Sequence, residues 1–474
     1  MSATTDGRPW RRQAGTGSGV VPAGGSTYGR LSRGVSLAYG WRSDQRSDGT
    51  AADTWANEFP ATPDCWDKHA ILQSVAWLRY EGSLRILHVT PSFCPAWAYG
   101  GVPRCAYELC RVLARAGEAV TVWTTDALDA AQRVRTRTAT VDGIEVHYFP
   151  NLSNRLAYHL QTYLPRGLAR QARTRLRQFD VVHIHSHRHV PELLVARAAR
   201  RLGLPYVCTA NGTVPAIERH VMVKRIVDVL GARAVLQGAA ACVAVSEAEV
   251  AHYRRAGVAP GRITQIPNGV RLEAYQALPP RGTFRRAHGL AASTPLLVFV
   301  GKITPRKGVD VLVRALAQLP AAVHLVVGGN FMMPAQPIHR LAATLGLSDR
   351  IHFTGLLGEQ DKLAAYVDAD VVAYPSADEI FGLVPAEALM CGAPVVVCDD
   401  CGCGEFVRAA GGGLLVPYGD PAALAGALRL LLEDPARRAA CATDGRRWVE
   451  EHLGWDRIAA QTRTLYESVI TTHK

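Results

Sequence analysis

Residues 377–404 read ADEIFGLVPAEALMCGAPVVVCDDCGCG and carry two carboxylates, Glu379 and Glu387, with seven residues between them. The preceding ADVVAYPS (369–376) and the following PVVVCDD (394–400) are short apolar runs that read as buried strands. Between them Pro385 stands where a helix starts and Gly392 just past where it stops. The order is therefore strand, loop, short helix, strand, with Glu379 in the loop and Glu387 one turn into the helix. In a parallel sheet such a loop opens at the carboxyl ends of the strands, where open α/β folds take ligands. The backbone N–H groups near Phe381, Gly382 and Leu383 then form a helix N-terminus suited to a phosphate or diphosphate.

The chain reads as a large α/β protein. Its 474 residues call for two domains, and 48% hydrophobic with 20% charged residues is an ordinary globular balance. The net charge of +12 favours anionic partners. Eleven scattered cysteines point to a reducing, cytoplasmic setting rather than a disulfide framework. No apolar run approaches the roughly 18 residues of a membrane span, and no apolar segment follows the basic N-terminus as in a signal peptide.

Residues 1–83 form an extension, its first fifty or so residues rich in Gly, Ser, Thr and Arg and read as disordered, with a short helix expected over 71–80. Strand patterns then recur at LRILHVT (84–90), AVTVWTTD (119–126), GIEVHYFP (143–150), DVVHIHS (180–186), PYVCTA (205–210), ACVAVS (241–246) and ITQIPNG (263–269), with helices near 103–116, 166–178, 190–202 and 216–237. After a Pro-containing linker the pattern restarts with PLLVFVGKI (295–303), VHLVVGG (323–329) and IHFTG (351–355), and helices over 421–433, 435–452 and 454–470 close the chain. The expected domains are 84–275 and 276–452, each Rossmann-like, with 453–474 a final helix returning to the first. Two such halves leave a cleft between them for a ligand.

Three further motifs could carry chemistry. Gly100 and Gly101 sit in the first strand-to-helix loop, where glycine lets an anion approach the backbone. GKITPRKG (301–308) offers Lys302, Arg306 and Lys307 to a diphosphate, against the alternative of a solvated basic turn. DVVHIHSHRH (180–189) holds four histidines, of which His183 and His185 share one strand face; a metal cluster is conceivable, but without a Cys or acidic ligand a non-metal role is preferred. Asp368 and Asp370 spell Asp-x-Asp before a buried strand and read as a false metal lead. Cys398, Cys401 and Cys403 read as free thiols in a loop.

The string E-x-FG-L…EAL…G-PVV resembles the sugar-donor signature of the retaining family-4 glycosyltransferases, and YGGVPR, GKITPRKG, VHIH and IPNG follow that family's order from about residue 84 to the last helix. The resemblance implies the α/β GT-B fold, two Rossmann-like domains facing each other across a cleft. It implies a metal-independent transferase with no resident cofactor, using a nucleotide-sugar co-substrate, a UDP- or GDP-sugar. It assigns Glu379, His185, Lys302 and Lys307 to catalysis, with His185 against the donor sugar, and Gly100, Gly101, Arg306, Phe381, Gly382, Leu383 and Glu387 to sugar-donor binding, with Glu387 on the ribose. Lys302 stands where the family carries arginine, keeping the charge without the bidentate fork. The implied acceptor is a glycan or lipid-linked glycan of polysaccharide or cell-surface synthesis, met at the inner face of an anionic membrane. The basic stretches 165–178 and 218–233 would make that contact. The alternatives are a sugar-phosphate synthase or phosphorylase-like enzyme on the same fold, a non-catalytic sugar-nucleotide binding module, and a nucleic-acid binder, for which no recognition motif is present.

Overall fold

A computed structural model describes residues 82–217, 221–332 and 334–473. The expected disorder of the first fifty residues, the helix at 71–80 and Arg219 lie outside the described residues.

The first half builds an eight-stranded sheet in the order β3-β4-β2-β1-β5-β6-β7-β8. Its strands are β1 (Arg85–Val89), β2 (Ala119–Thr125), β3 (Thr138–Val141), β4 (Ile144–Phe149), β5 (Val181–His185), β6 (Tyr206–Thr209), β7 (Ala241–Ala244) and β8 (Ile263–Gln265). All neighbours are parallel except the edge strand β3, which runs antiparallel to β4. The second half builds a fully parallel six-stranded sheet in the order β11-β10-β9-β12-β13-β14. Here β9 is Leu296–Val300, β10 His324–Gly328, β11 Ile351–Gly355, β12 Val371–Tyr374, β13 Val395–Cys398 and β14 Gly413–Val416. The interior strands are buried on both faces, so they are continuous Val/Leu/Ile runs rather than alternating ones.

This order positions the site. Chain direction across the sheet reverses between β1 and β5 in the first half and between β9 and β12 in the second. At such a switch point the two following loops part and leave a crevice. The loop after β1 carries Gly100, and the strand end of β5 carries His185. The loop after β9 carries Lys302 to Lys307, and the loop after β12 carries Glu379.

The final helix, Trp455–His473, packs on the first-half helix Gly101–Arg115, where Trp455, Ile458, Tyr466, Val469 and Ile470 join the first sheet's core. A Cβ on Gly269 would lie 2.3 Å from the Trp455 ring, so glycine is required there. A further tie is Glu405, whose carboxylate accepts from the amides of Glu247 (2.7 Å) and Ala248 (2.8 Å) at the start of helix Glu247–Arg255.

Several elements differ from the sequence reading. The helix bearing Glu387 starts at Leu383, so Pro385 is its third residue. Proline is tolerated there because the first-turn N–H groups have no intrahelical partner in any case. The three cysteines read as loop thiols are placed otherwise: Cys398 ends strand β13, Cys401 is the N-cap and Cys403 lies inside the helix Gly402–Ala410, all buried. Its glycines are there for space: a Cβ on Gly402 would sit 1.8 Å from the Ile380 carbonyl, and one on Gly404 2.5 Å from that of Cys398. The expected helix at 216–237 is broken, with a π-helical segment at Asp228–Ala232 where Gly231 leaves helical geometry. Strands β3 and β14 and helices Asn154–Leu160, Glu247–Arg255 and Glu359–Asp368 were not anticipated. The helix at Glu247 did carry a signal, since Ser246 and Glu249 form S-x-x-E and Ser246 caps the Glu249 amide.

Asp368 and Asp370 anchor the linker. Asp368 accepts from the amides of Gly282 and Arg285, and buried Arg285 spans the Asp370 carboxylate (3.0 Å) and the carbonyls of Asp368, Ala291 and Thr294. Removing the guanidinium from Arg285→Ala leaves these acceptors unpaired. The expected loss is about 3 kcal/mol, read from the shift of the urea unfolding midpoint.

Candidate active site

The two switch points face each other across a cleft of about 1300 Å³. Of the residues assigned from sequence, Gly100, Lys302, Arg306, Leu383 and Glu387 line it. Gly100 has φ 107°, and a Cβ there would stand 3.1 Å from the Lys302 ammonium. Glycine at this point lets the first-half loop approach the second-half lysine directly. Lys302 reaches the cleft from a crowded wall that withdraws water, and the Lys307 charge lies nearby; both lower its pKa from the ordinary lysine value.

Glu379 and Lys307 sit one layer deeper. They form an ion pair in which both side chains are mostly buried, and Glu379 also accepts from Tyr374 (3.0 Å) and Ser376 (3.3 Å). Lys307 lies over the Tyr374 ring, 4.6 Å from its centroid. Burial works against the carboxylate charge, but Lys307, Arg306 and the Tyr374 hydroxyl together hold the Glu379 pKa below its ordinary value. Arg306 donates to the Asp378 carbonyl at 3.1 Å. Gly382, in the left-handed region at φ 70°, precedes the helix, and a Cβ on it would stand 3.0 Å from that of Cys403. The Phe381 ring is buried and stacks on Phe406 at 5.4 Å, so only its backbone is near the helix start. Gly101 opens the first-half helix but does not line the cleft.

Glu387 is held by Lys362 (2.8 Å) and Tyr366 (3.2 Å), both acting on Oε2. Neither partner was singled out from sequence, because they come from the preceding helix, Glu359–Asp368. Tyr374 was also missed: in ADVVAYPS an aromatic at a strand end reads as core, and its hydroxyl's role appears only once Lys307 is beside it.

His185 is buried, with 3% of its surface accessible, and is not part of the cleft wall. It belongs to a cluster of three. Its ring stacks on His183 at 4.3 Å, and its Nε2 lies 3.0 Å from Nδ1 of His88 on the neighbouring strand β1. Both His183 nitrogens are engaged, by the hydroxyls of Tyr466 and Thr209 at 2.5 and 2.7 Å. A metal held by all three would have to displace at least one of the two hydrogen bonds that engage His183.

Residues 99–274 match the family described as Glycosyltransferase Family 4, and residues 280–448 that described as Glycosyl transferases group 1. A D-inositol 3-phosphate glycosyltransferase of Xylanimonas cellulosilytica is 33% identical over 77% of this chain and 91% of its own. One from Kineococcus radiotolerans is 30% identical over 82% and 95%. The chain belongs to the group 1, family 4 glycosyltransferases. Among solved structures, Anabaena HepE superposes on this glycosyltransferase with TM-score 0.65 at 22% identity, covering 81% of the present chain and all of HepE. Sucrose-phosphate synthase from Thermosynechococcus elongatus has TM-score 0.65 at 25% identity, covering 82% and all of that chain. Both agree with the GT-B arrangement of two facing sheets.

The ion pair makes a pH prediction for the glycosyltransferase. With its folded pKa lowered, Glu379 adds stability above its unfolded pKa, and that contribution is lost as pH falls through the folded value. In Lys307→Met the opposing cation is gone and burial dominates, so the folded pKa of Glu379 rises and its contribution falls as pH increases. The melting temperature of the variant is therefore expected to drop further below wild type at pH about 7.5 than at about 5. An equal gap at both pH values would refute the pair's role.

Proposed function

We propose that this enzyme is a retaining glycosyltransferase that moves a sugar from a nucleotide-sugar to an acceptor without a catalytic metal. The observation that supports this most is the convergence on one cleft of Lys302, Arg306, the start of helix Leu383–Met390 and Glu387. Two cations and helix amides that no side chain caps suit a diphosphate, and the Glu387 Oε1, outside the bonds to Lys362 and Tyr366, suits ribose hydroxyls. When the glycosidic bond breaks, negative charge grows on the leaving diphosphate, and prealigned cations lower that barrier. Glu379 is tied to Lys307, Tyr374 and Ser376 on one oxygen, Oε2, which favours positioning of the sugar over nucleophilic attack. The departing phosphate would then take the acceptor proton on the same face. HepE was solved with UDP, and a UDP-sugar is the first donor to test.

The expected outcome is that UDP raises the melting temperature, transfer survives EDTA, and the product keeps the donor's anomeric configuration by NMR. Glu387→Ala should cut turnover by roughly 10²-fold or more with the fold intact. An inverted product, or near-normal turnover in the variant, would refute the reading.

For the acceptor we propose a lipid-linked glycan. The basic helix Leu168–Arg175 buries Leu168 and Ala172 and leaves its arginines in solvent, an ordinary packed face. The stretch 221–232 does the reverse: Met222, Val223, Ile226, Val229 and Leu230 are 55–82% exposed beside Lys224 and Arg225. Val223, Lys224 and Val227 also line the cleft, so this apolar ridge adjoins the first-half wall of the site. Among the described residues no helix is long and apolar enough to cross a membrane. A peripheral contact fits such a ridge, with about 1 kcal/mol for each well-placed cation. The relatives' name supplies the second reading, a small phosphorylated polyol. Co-sedimentation with phosphatidylglycerol vesicles at low salt is expected, and loss of it in an Ile226→Glu, Val229→Glu double variant. A wild-type protein that stays in the supernatant favours the small acceptor.

A further inference from the structure

The cluster behind the cleft contains a residue that no family motif singles out. His88 is fully buried on β1, in register with His183 on β5. Its Nδ1 meets His185 Nε2 at 3.0 Å, while its own Nε2 is buried without a partner. A neutral imidazole has one N–H and one bare nitrogen, so only two arrangements of the pair exist. If His185 donated, His88 would have to carry its proton on Nε2, leaving a buried N–H with no acceptor. Orphaned buried N–H groups are rare and cost about 1–3 kcal/mol. If His88 donates from Nδ1, its Nε2 is a bare lone pair and no donor is stranded. His185 then accepts on Nε2 and carries its proton on Nδ1, the nitrogen that has no protein partner among the described residues and is not sealed off from solvent.

We propose that His88 is a positioning residue: it locks His185 as the Nδ1–H tautomer, so that His185 presents a hydrogen-bond donor, not a base, on the one ring nitrogen that its neighbours leave open. Three further observations agree. Burial lowers the pKa of all three histidines in the cluster, that of His185 to about 3, so the pair stays neutral at ordinary pH. His183 is clamped on both nitrogens and stacked on His185, which stops the ring from turning over. The groups facing the pair are neutral: His183, Thr209 and Tyr466. A hydroxyl oxygen of the transferred sugar is the acceptor such an N–H fits. This last step rests on the glycosyl-transfer reading; the tautomer does not.

The test has two arms on the full-length protein. Histidine ring-nitrogen NMR, with His185 signals identified by their loss in His185→Gln, should show protonated Nδ1 and bare Nε2 across neutral pH. In steady-state assays His88→Leu should lower kcat on the order of 10-fold with the sugar-donor KM little changed. His88→Asn should restore most of that, because its amide N–H reaches the place of Nδ1–H. A proton on His185 Nε2 in the wild type overturns the proposal even if His88→Leu fails to fold. So does a folded His88→Leu with wild-type kcat. A protein that shows the Nδ1–H tautomer but transfers no sugar from any nucleotide-sugar would refute the glycosyl-transfer reading instead.

Discussion

Parallel strands that change direction of progression leave a gap between the two loops at the reversal, and this protein fills that gap with charge. In the second sheet the gap lies between β9 and β12. One loop supplies Lys302, Arg306 and Lys307, the other Glu379 and the start of the Glu387 helix. Without a counter-ion, three cations at one crevice would repel each other and weaken the fold. The buried Lys307–Glu379 pair answers this by neutralising the innermost cation and leaving Lys302 and Arg306 at the cleft. The pair also pins the two loops to each other, which holds Lys302 and Arg306 beside the start of the Glu387 helix. In the proposed transfer, cations fixed in this way would stabilise developing charge without reorganising.

The same geometry recurs at the opposing switch point with different chemistry. Between β1 and β5, behind the cleft, lies a buried cluster of neutral histidines and hydroxyls, and glycine at 100 keeps the loop thin enough to meet Lys302. The final helix matters here beyond packing. Tyr466 on that helix holds His183, which stacks on His185. The final helix thus braces the histidine cluster behind the cleft.

Much of this was legible in one sequence. The Val- and Leu-rich strand runs, the two restarting α/β halves, and the strand-to-helix loops at 100 and 301–308 follow from local periodicity and glycine placement. Helix boundaries at 421–433 and 435–452 agree with Asp420 and Asp434 acting as caps before Pro421 and Pro435. What failed failed for a common reason. CGCG looked like a loop because glycines break helices locally, whereas here they serve close contacts with Ile380 and Cys398. The helix expected over 216–237 is broken within its described part, because Gly231 leaves helical geometry and the segment Asp228–Ala232 turns π-helical.

The sequence alone determined most strand and helix types, the positive charge of the 301–308 loop and the presence of the Glu379 and Glu387 pair, because those depend on neighbours within a turn or a strand. Only the tertiary structure decided which of these groups meet. Glu379 found Lys307 and Tyr374, Glu387 found Lys362 and Tyr366, and His185 found His88. Each set joins different elements through sheet order and helix docking. The protonation and exposure of each group follow from those long-range partners and from burial, which no local pattern encodes.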